Sequence, residues 1–133
     1  MADILIVDDS KMMRDLLSLR FKDSGLELVV CADYTQAVDA LGKQQRPFAA
    51  IVTDWQYPGK SLDPSSTSGG ADLLDYLVAN REKQPGHLVI NSADNKLAME
   101  MGAWSSLNPA PKVFAKGQPL NDEVKRLRNT LKP

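Results

Sequence analysis

Residues 4–10 read ILIVDDS and residues 49–54 read AAIVTD, so two short apolar runs each end on acid. Aliphatic and β-branched runs that stop this abruptly have the pattern of strands buried on both faces, and acids delivered at their carboxyl ends sit at the edge of a sheet. Asp8, Asp9 and Asp54 are the acids so placed. Like charges a few ångströms apart raise one another's pKa and destabilise the fold unless a cation neutralises them. Capping of the following helix explains one acid of the Asp8 and Asp9 pair but is a poor reason for two.

Outward from these runs the chain alternates regularly. Ile4 to Val7 is the first strand; Ser10 is a candidate N-cap, and Met13, Leu16, Leu17 and Phe21 follow at helical spacing. Gly25 marks the end of that helix. Leu26 to Ala32 reads as a second strand, Thr35 to Lys43 as a helix with Ala37, Val38 and Leu41 on one face, and Phe48 to Thr53 as the third strand. Leu73, Leu74, Leu77 and Val78 give a third helix, and the Pro85-Gly86 turn opens a fourth strand over His87 to Ile90. A short helix is predicted over Asp94 to Met101 and a fifth strand over Lys112 to Ala115. Leu120, Val124, Leu127 and Leu131 mark a closing helix entered through Pro119. Asp122 and Glu123 near its start, with Arg128 and Lys132 near its end, suit the helix dipole.

Five strands alternating with five helices predict one α/β domain over residues 1–133, with a mostly parallel, doubly wound sheet and helices on both faces. In the flavodoxin-like strand order 2-1-3-4-5 the first and third strands are neighbours at the topological switch point, which would bring Asp8, Asp9 and Asp54 together. The Rossmann arrangement needs a glycine-rich phosphate turn after its first strand, and the turn here, DDSKM, has no glycine.

Composition narrows the function classes. The 133 residues suffice for a self-supporting core, and 43% hydrophobic with 25% charged residues is ordinary for a globular protein. Sixteen basic against 17 acidic residues leave a net charge of −1, so no basic field holds a phosphate backbone and nucleic acid is not an expected partner. Cys31 is the single cysteine, which excludes an intramolecular disulfide and a thiolate zinc site. Apolar runs are too short for membrane insertion, and with no secretory signal the cytoplasm is the expected compartment.

The last two strands end in complementary chemistry: Ser92 follows LVIN with a hydroxyl, and Lys116 follows KVFA with a cation. Three acids, a hydroxyl and a lysine make a set suited to phosphoryl transfer. Magnesium favours one or two protein carboxylates together with phosphate oxygens and water, which suits Asp9 and Asp54 as direct ligands with Asp8 acting through water. Asp54 is the candidate nucleophile, forming an acyl phosphate, while Ser92 and Lys116 neutralise and position the equatorial oxygens.

On these residues the chain resembles the receiver domains of two-component response regulators, particularly the single-domain chemotaxis type. The resemblance rests on ILIVDDS with Asp8 and Asp9, TDWQYPG with Asp54 and Pro58, INSA with Ser92, and FAK with Lys116, and it spans essentially the whole chain. It implies Mg2+ held by Asp9, Asp54 and the main-chain carbonyl of Gln56, with Asp8 assisting. It also implies phosphoryl transfer to Asp54 from a sensor histidine kinase or a histidine phosphotransfer protein, and either a downstream protein target or onward relay of phosphate. Such a receiver catalyses its own modification and is not a conventional turnover enzyme. Phosphorylated-state lifetime in that family varies with the positions occupied here by Gln56 and Asp94.

Two segments depart from the family pattern. KSLDPSSTSGG, residues 60–70, lengthens the connection after Pro58 and predicts a mobile loop, read either as a lid or docking element or as a tolerated surface insertion. GAWSSLNPAPKVFAK, residues 102–116, replaces a compact turn into the last strand. The family's aromatic switch position, three residues before the lysine, is Val113; Phe114 alternates to the other face, and Gly117 stands where a proline is usual. A rebuilt output surface is therefore expected.

Other features are assigned blander roles. Met13 is read as core and Met12 as surface open to a partner. The lone His87 has no companions for a histidine metal cluster or a Ser-His nucleophile and is read as a strand-end residue. Trp55 and Trp104 flank the candidate site and the altered segment. The competing reading of the whole chain is a receiver-fold interaction module not regulated by phosphorylation, which the five site residues argue against. A phosphatase of the haloacid dehalogenase type would want acids two residues apart after the first strand, which DDS does not supply.

Overall fold

In the computed structural model, residues 2–61, 63, 65–92, 101–104 and 106–133 are described. Strands β1 (Ile4–Val7) and β3 (Ala50–Asp54) are buried at every position, because both are central in a five-stranded parallel sheet of order β2-β1-β3-β4-β5. β4 (His87–Ser92) follows them into the core, whereas the edges β2 (Leu28–Cys31) and β5 (Lys112–Ala115) are partly exposed. This is the flavodoxin-like order, in which the first and third strands are neighbours.

Pairing sets the strand limits. β2 has only the four residues of β1 to pair with, so it spans 28–31 rather than 26–32. β3 runs to Asp54 and β4 to Ser92, beyond the predicted Thr53 and Ile90, because Asp54 pairs with Asn91 and Ser92 pairs with Ala115. Phe48 is buried in the connection leading to β3 rather than within the strand.

Four α-helices stand among the described residues: α1 (Lys11–Arg20), α2 (Tyr34–Lys43), α3 (Gly69–Ala79) and α4 (Gln118–Leu131). Leu17 and Phe21 from the α1 region and Leu120, Val124 and Leu127 of α4 pack on Ile4, Ile6, Ala50, Val52 and Val89. Ala37 and Leu41 of α2 and Leu73, Leu74 and Leu77 of α3 pack on Leu5, Val7, Ile51, Leu88 and Ile90, the alternate residues of the same strands. Full burial of each aliphatic side chain contributes roughly 1.5–3 kcal/mol, so the strand ends are carried on a rigid base.

Several expectations are corrected in detail. α1 stops at Arg20 with Phe21 as its C-cap, and Gly25 lies beyond it, where a φ of +78° suits glycine in the turn toward β2. Leu16 is 37% exposed, because the buried stripe is Met13, Leu17 and Phe21 at four-residue spacing and Leu16 lies to its side. α2 begins one residue earlier than expected, with Asp33 Oδ1 accepting the Gln36 N–H at 2.8 Å. Glu123 serves the α4 dipole less than a local pair: it is buried and accepts both the Nε and guanidinium N–H groups of Arg126. Of the short helix predicted over Asp94 to Met101, residues 94–100 lie outside the described residues; Met101–Trp104 forms a 3-10 turn. His87 opens β4 as expected.

Candidate functional site

The helix cap decides what the acidic pair is free to do. Ser10 caps α1 by accepting the Met13 N–H, so neither Asp8 nor Asp9 is the capping residue. Asp8 is fully buried; its Oδ1 accepts the Ser10 N–H at 2.9 Å, its backbone carbonyl accepts from Arg14, and its Oδ2 is buried without a hydrogen-bond partner among the described residues. An orphaned carboxylate oxygen in the interior is costly unless a cation or donor meets it.

One oxygen from each of Asp8, Asp9 and Asp54 lies within 4.8 Å of the others, with Asp9 exposed and the other two buried. Lys116 Nζ stands 3.6 Å from Asp54 Oδ1, and the Trp55 N–H donates to that same oxygen at 2.8 Å. Burial first, and the Asp8 carboxylate second, push the Asp54 pKa up to about 6 against the opposing pull of Lys116 and the Trp55 N–H. Burial likewise raises that of Asp8. The set fits a hard divalent cation: all-oxygen donors, converging charge, an orphaned oxygen and one solvent-facing acid.

The turn after β3 is held by the start of α3. Gly69 N–H donates to the Tyr57 carbonyl at 2.8 Å and Gly70 N–H to the Trp55 carbonyl at 3.0 Å. A Cβ on either glycine would collide with the Trp55–Tyr57 segment, so glycine permits this close approach. Gln56 lies between the two tethered carbonyls with its side chain exposed. Tyr57 is completely buried, its hydroxyl 2.9 Å from Thr53 Oγ1, which in turn donates to the Asp54 carbonyl at 2.8 Å. Asp72 of α3 gathers the ends of the long loop, accepting from Lys60 N and Ser68 Oγ.

The structure therefore brings Asp8, Asp9, Asp54 and Lys116 into one group. Ser92 is buried at the end of β4, paired in register with Ala115, the residue before Lys116. Val113 packs on the α2 and α3 side of the sheet and Phe114 on the other, as their alternation requires. Met12 is 77% exposed while Met13 packs against the core, matching their assignments. Asp94 lies outside the described residues.

Two features escaped sequence reading. Trp104 meets Trp55 edge to face at a centroid separation of 5.4 Å, although 48 residues of chain lie between them in sequence order. Asn91 is buried beside Asp54 in the sheet register, and its signal was the one polar residue preceding Ser92 in an otherwise apolar LVI run.

No protein-family model matches the chain. Among curated proteins, it is 33% identical over 107 residues to an NtrX-like response regulator of Rickettsia conorii and 32% identical over 107 residues to its counterpart from Rickettsia felis. Each alignment takes in 77% of this chain and 20% of the relative, so the chain spans about a fifth of the length of the curated relatives it matches. Among solved structures, the receiver domain of Francisella response regulator 1452 superposes with a TM-score of 0.71 at 21% identity, over 99% of this chain and 97% of that one. The chemotaxis response regulator CheY4 of Vibrio cholerae superposes with a TM-score of 0.70 at 19% identity, over 100% and 99%. Identities at this level speak for the fold.

Proposed function

The chain is a receiver domain of two-component signalling, and from that premise we propose that Asp54 is the phosphoacceptor of a signalling switch. One observation carries the reading: a buried Asp54 carboxylate converges with Asp8 and Asp9 within 4.8 Å and has Lys116 at 3.6 Å. Structural packing gives no reason for that concentration of charge.

In this reading Asp8, Asp9, Asp54 and the Gln56 carbonyl hold Mg2+. When bound, the ion supplies positive charge to the transferring phosphoryl oxygens. Asp54 presents a carboxylate oxygen on the end of a fully buried strand paired on both sides, which matters because a loose phosphoryl-transfer transition state is served mainly by positioning. Lys116 and the Ser92 hydroxyl stabilise charge on the equatorial oxygens. Partial exclusion of water by the surrounding burial strengthens each of these interactions.

The donor is a phosphohistidine on a sensor kinase or phosphotransfer protein, and the modified surface engages a downstream protein or passes the group onward. Self-modification at one residue, without multiple turnover of a free substrate, sets this apart from a conventional enzyme. A compartment shared with such kinases is the cytoplasm. Residues 1–133 act as one receiver unit.

The deciding experiment incubates the protein with acetyl phosphate and Mg2+ and measures intact mass. A gain of one phosphoryl group, absent in Asp54→Ala and without Mg2+, is expected. No gain from either this donor or a histidine-phosphorylated protein would overturn the reading in favour of an unregulated interaction module.

A further inference from the structure

We propose that Asn91 is a positioning residue whose carboxamide, unpartnered in the resting protein, closes onto the Asp54 carboxylate and the Lys116 ammonium during phosphoryl transfer, an inference that rests on Asp54 being the phosphoacceptor. Asn91 is 1% exposed, and both its Nδ2 and its Oδ1 are buried without a hydrogen-bond partner among the described residues. Leaving a buried amide unpaired costs stability that an apolar residue would not lose. An aliphatic side chain would serve packing better at this position, where Val89 and Val52 line the same face.

Register places the amide at the reacting group. Asn91 is the Cα partner of Asp54 on one side and of Phe114 on the other. Registered residues of parallel strands about 4.8 Å apart point to the same face, and the Val52 and Val89 pair, two positions earlier, identifies it as the face of α1 and α4. Lys116 follows Phe114 by two residues, and its ammonium reaches Asp54 Oδ1 at 3.6 Å. That separation exceeds the roughly 2.7–2.9 Å of a charge-assisted hydrogen bond, so acceptor and lysine are near but unlocked.

A carboxamide has the chemistry to lock them. Its Nδ2–H donates to a carboxylate and its Oδ1 accepts from an ammonium, which no aliphatic residue can do. During transfer, one Asp54 oxygen forms a bond to phosphorus while the bond from phosphorus to the donor breaks; the electron pair leaves on the imidazole nitrogen when the donor is a phosphohistidine and on the acetate oxygen when it is acetyl phosphate. Asn91 makes and breaks no covalent bond. It holds the remaining Asp54 oxygen and Lys116 as charge passes between them.

The test compares wild type, Asn91→Leu and Asn91→Ser with acetyl phosphate and Mg2+, reading phosphorylation rate by intact mass, Mg2+ affinity by Trp55 fluorescence, and thermal midpoint. Expected is a rate lower by on the order of tenfold in Asn91→Leu, with Mg2+ affinity and midpoint at or above wild type, and partial recovery in Asn91→Ser. A rate within about twofold of wild type in Asn91→Leu overturns the bridge, as does a rate loss matched by loss of Mg2+ affinity or of thermal stability. Should Asn91→Leu fail to fold, the smaller Asn91→Val is read by the same criteria. Wild type that takes no phosphoryl group overturns the acceptor reading itself; labelled wild type with an equally labelled variant overturns only the bridge.

Discussion

Trp104 lies edge-on to Trp55, their planes inclined at 79°, and its indole N–H donates to Asp75 Oδ1 of α3 at 2.9 Å. Trp55 immediately follows Asp54 and donates its own N–H to the Asp54 carboxylate. The segment 101–104 is thus joined through one aromatic contact to the residue whose backbone N–H holds the candidate acceptor's carboxylate, on the side of the sheet where Val113 offers no aromatic group. Trp104→Phe keeps a ring but removes the anchor to Asp75. A loss of about 0.5–1.5 kcal/mol and faster amide exchange over 101–104 are expected. Unchanged exchange there would show that the anchor does not hold the segment.

Stability without divalent cation should fall as pH rises. Asp54 titrates at about 6 when folded, against an ordinary value of 3.8, so the folded state holds its proton more tightly than the unfolded one. Between those values the native state loses relative stability with rising pH, by roughly 3 kcal/mol in all from this group. Asp8 shifts in the same direction. Thermal midpoints in EDTA at about pH 5 and about pH 7.5 should therefore differ more for wild type than for Asp54→Asn, and the variant should be the more stable at the higher pH. Identical pH dependence in the two proteins would contradict this.

Mg2+ should reverse that instability. A ligand that binds only the native state stabilises it by RT ln(1 + [L]/Kd), about 2.7 kcal/mol at a hundredfold excess over Kd. Calorimetry should show a rising midpoint with Mg2+ in wild type and a flat response in the Asp9→Asn, Asp54→Asn double variant. A response that survives both changes places the ion elsewhere.

The two glycines opening α3 should resist substitution. In Gly70→Ala the added methyl group meets the Trp55 carbonyl and ring, so either the helix start or the turn carrying Gln56 must move. A destabilisation of about 1–3 kcal/mol is expected, with weaker Mg2+ binding by Trp55 fluorescence. Gly42→Ala, where the new methyl group meets nothing within 4 Å, is the control and should be neutral or stabilising.

Much of the fold was legible because the signals are local. Apolar runs of strand length, helical spacing in Leu73, Leu74 and Leu77, and the absence of glycine in DDSKM together indicated the doubly wound sheet and argued against a dinucleotide turn. Strand ends were less legible. Ser92 and Asp54 belong to β4 and β3 because of partners on neighbouring strands, and no property of residues 87–92 alone announces that pairing. Leu16 shows the same limit on a helix, since its exposure depends on where Leu17 and Phe21 meet the sheet.

The sequence by itself determined the chemical inventory and its placement: acids after the first and third strands, a hydroxyl after the fourth, a lysine after the fifth. Periodicity along the chain is enough for that, because a buried strand and its polar terminus are contiguous. Tertiary structure decided what those groups experience. Desolvation moved Asp54 to about 6, the Ser10 cap released the acidic pair from capping, and sheet register set Asn91 beside Asp54. Each of these depends on which surfaces exclude water from which, and on which strands lie side by side, and both are properties of distant segments brought together.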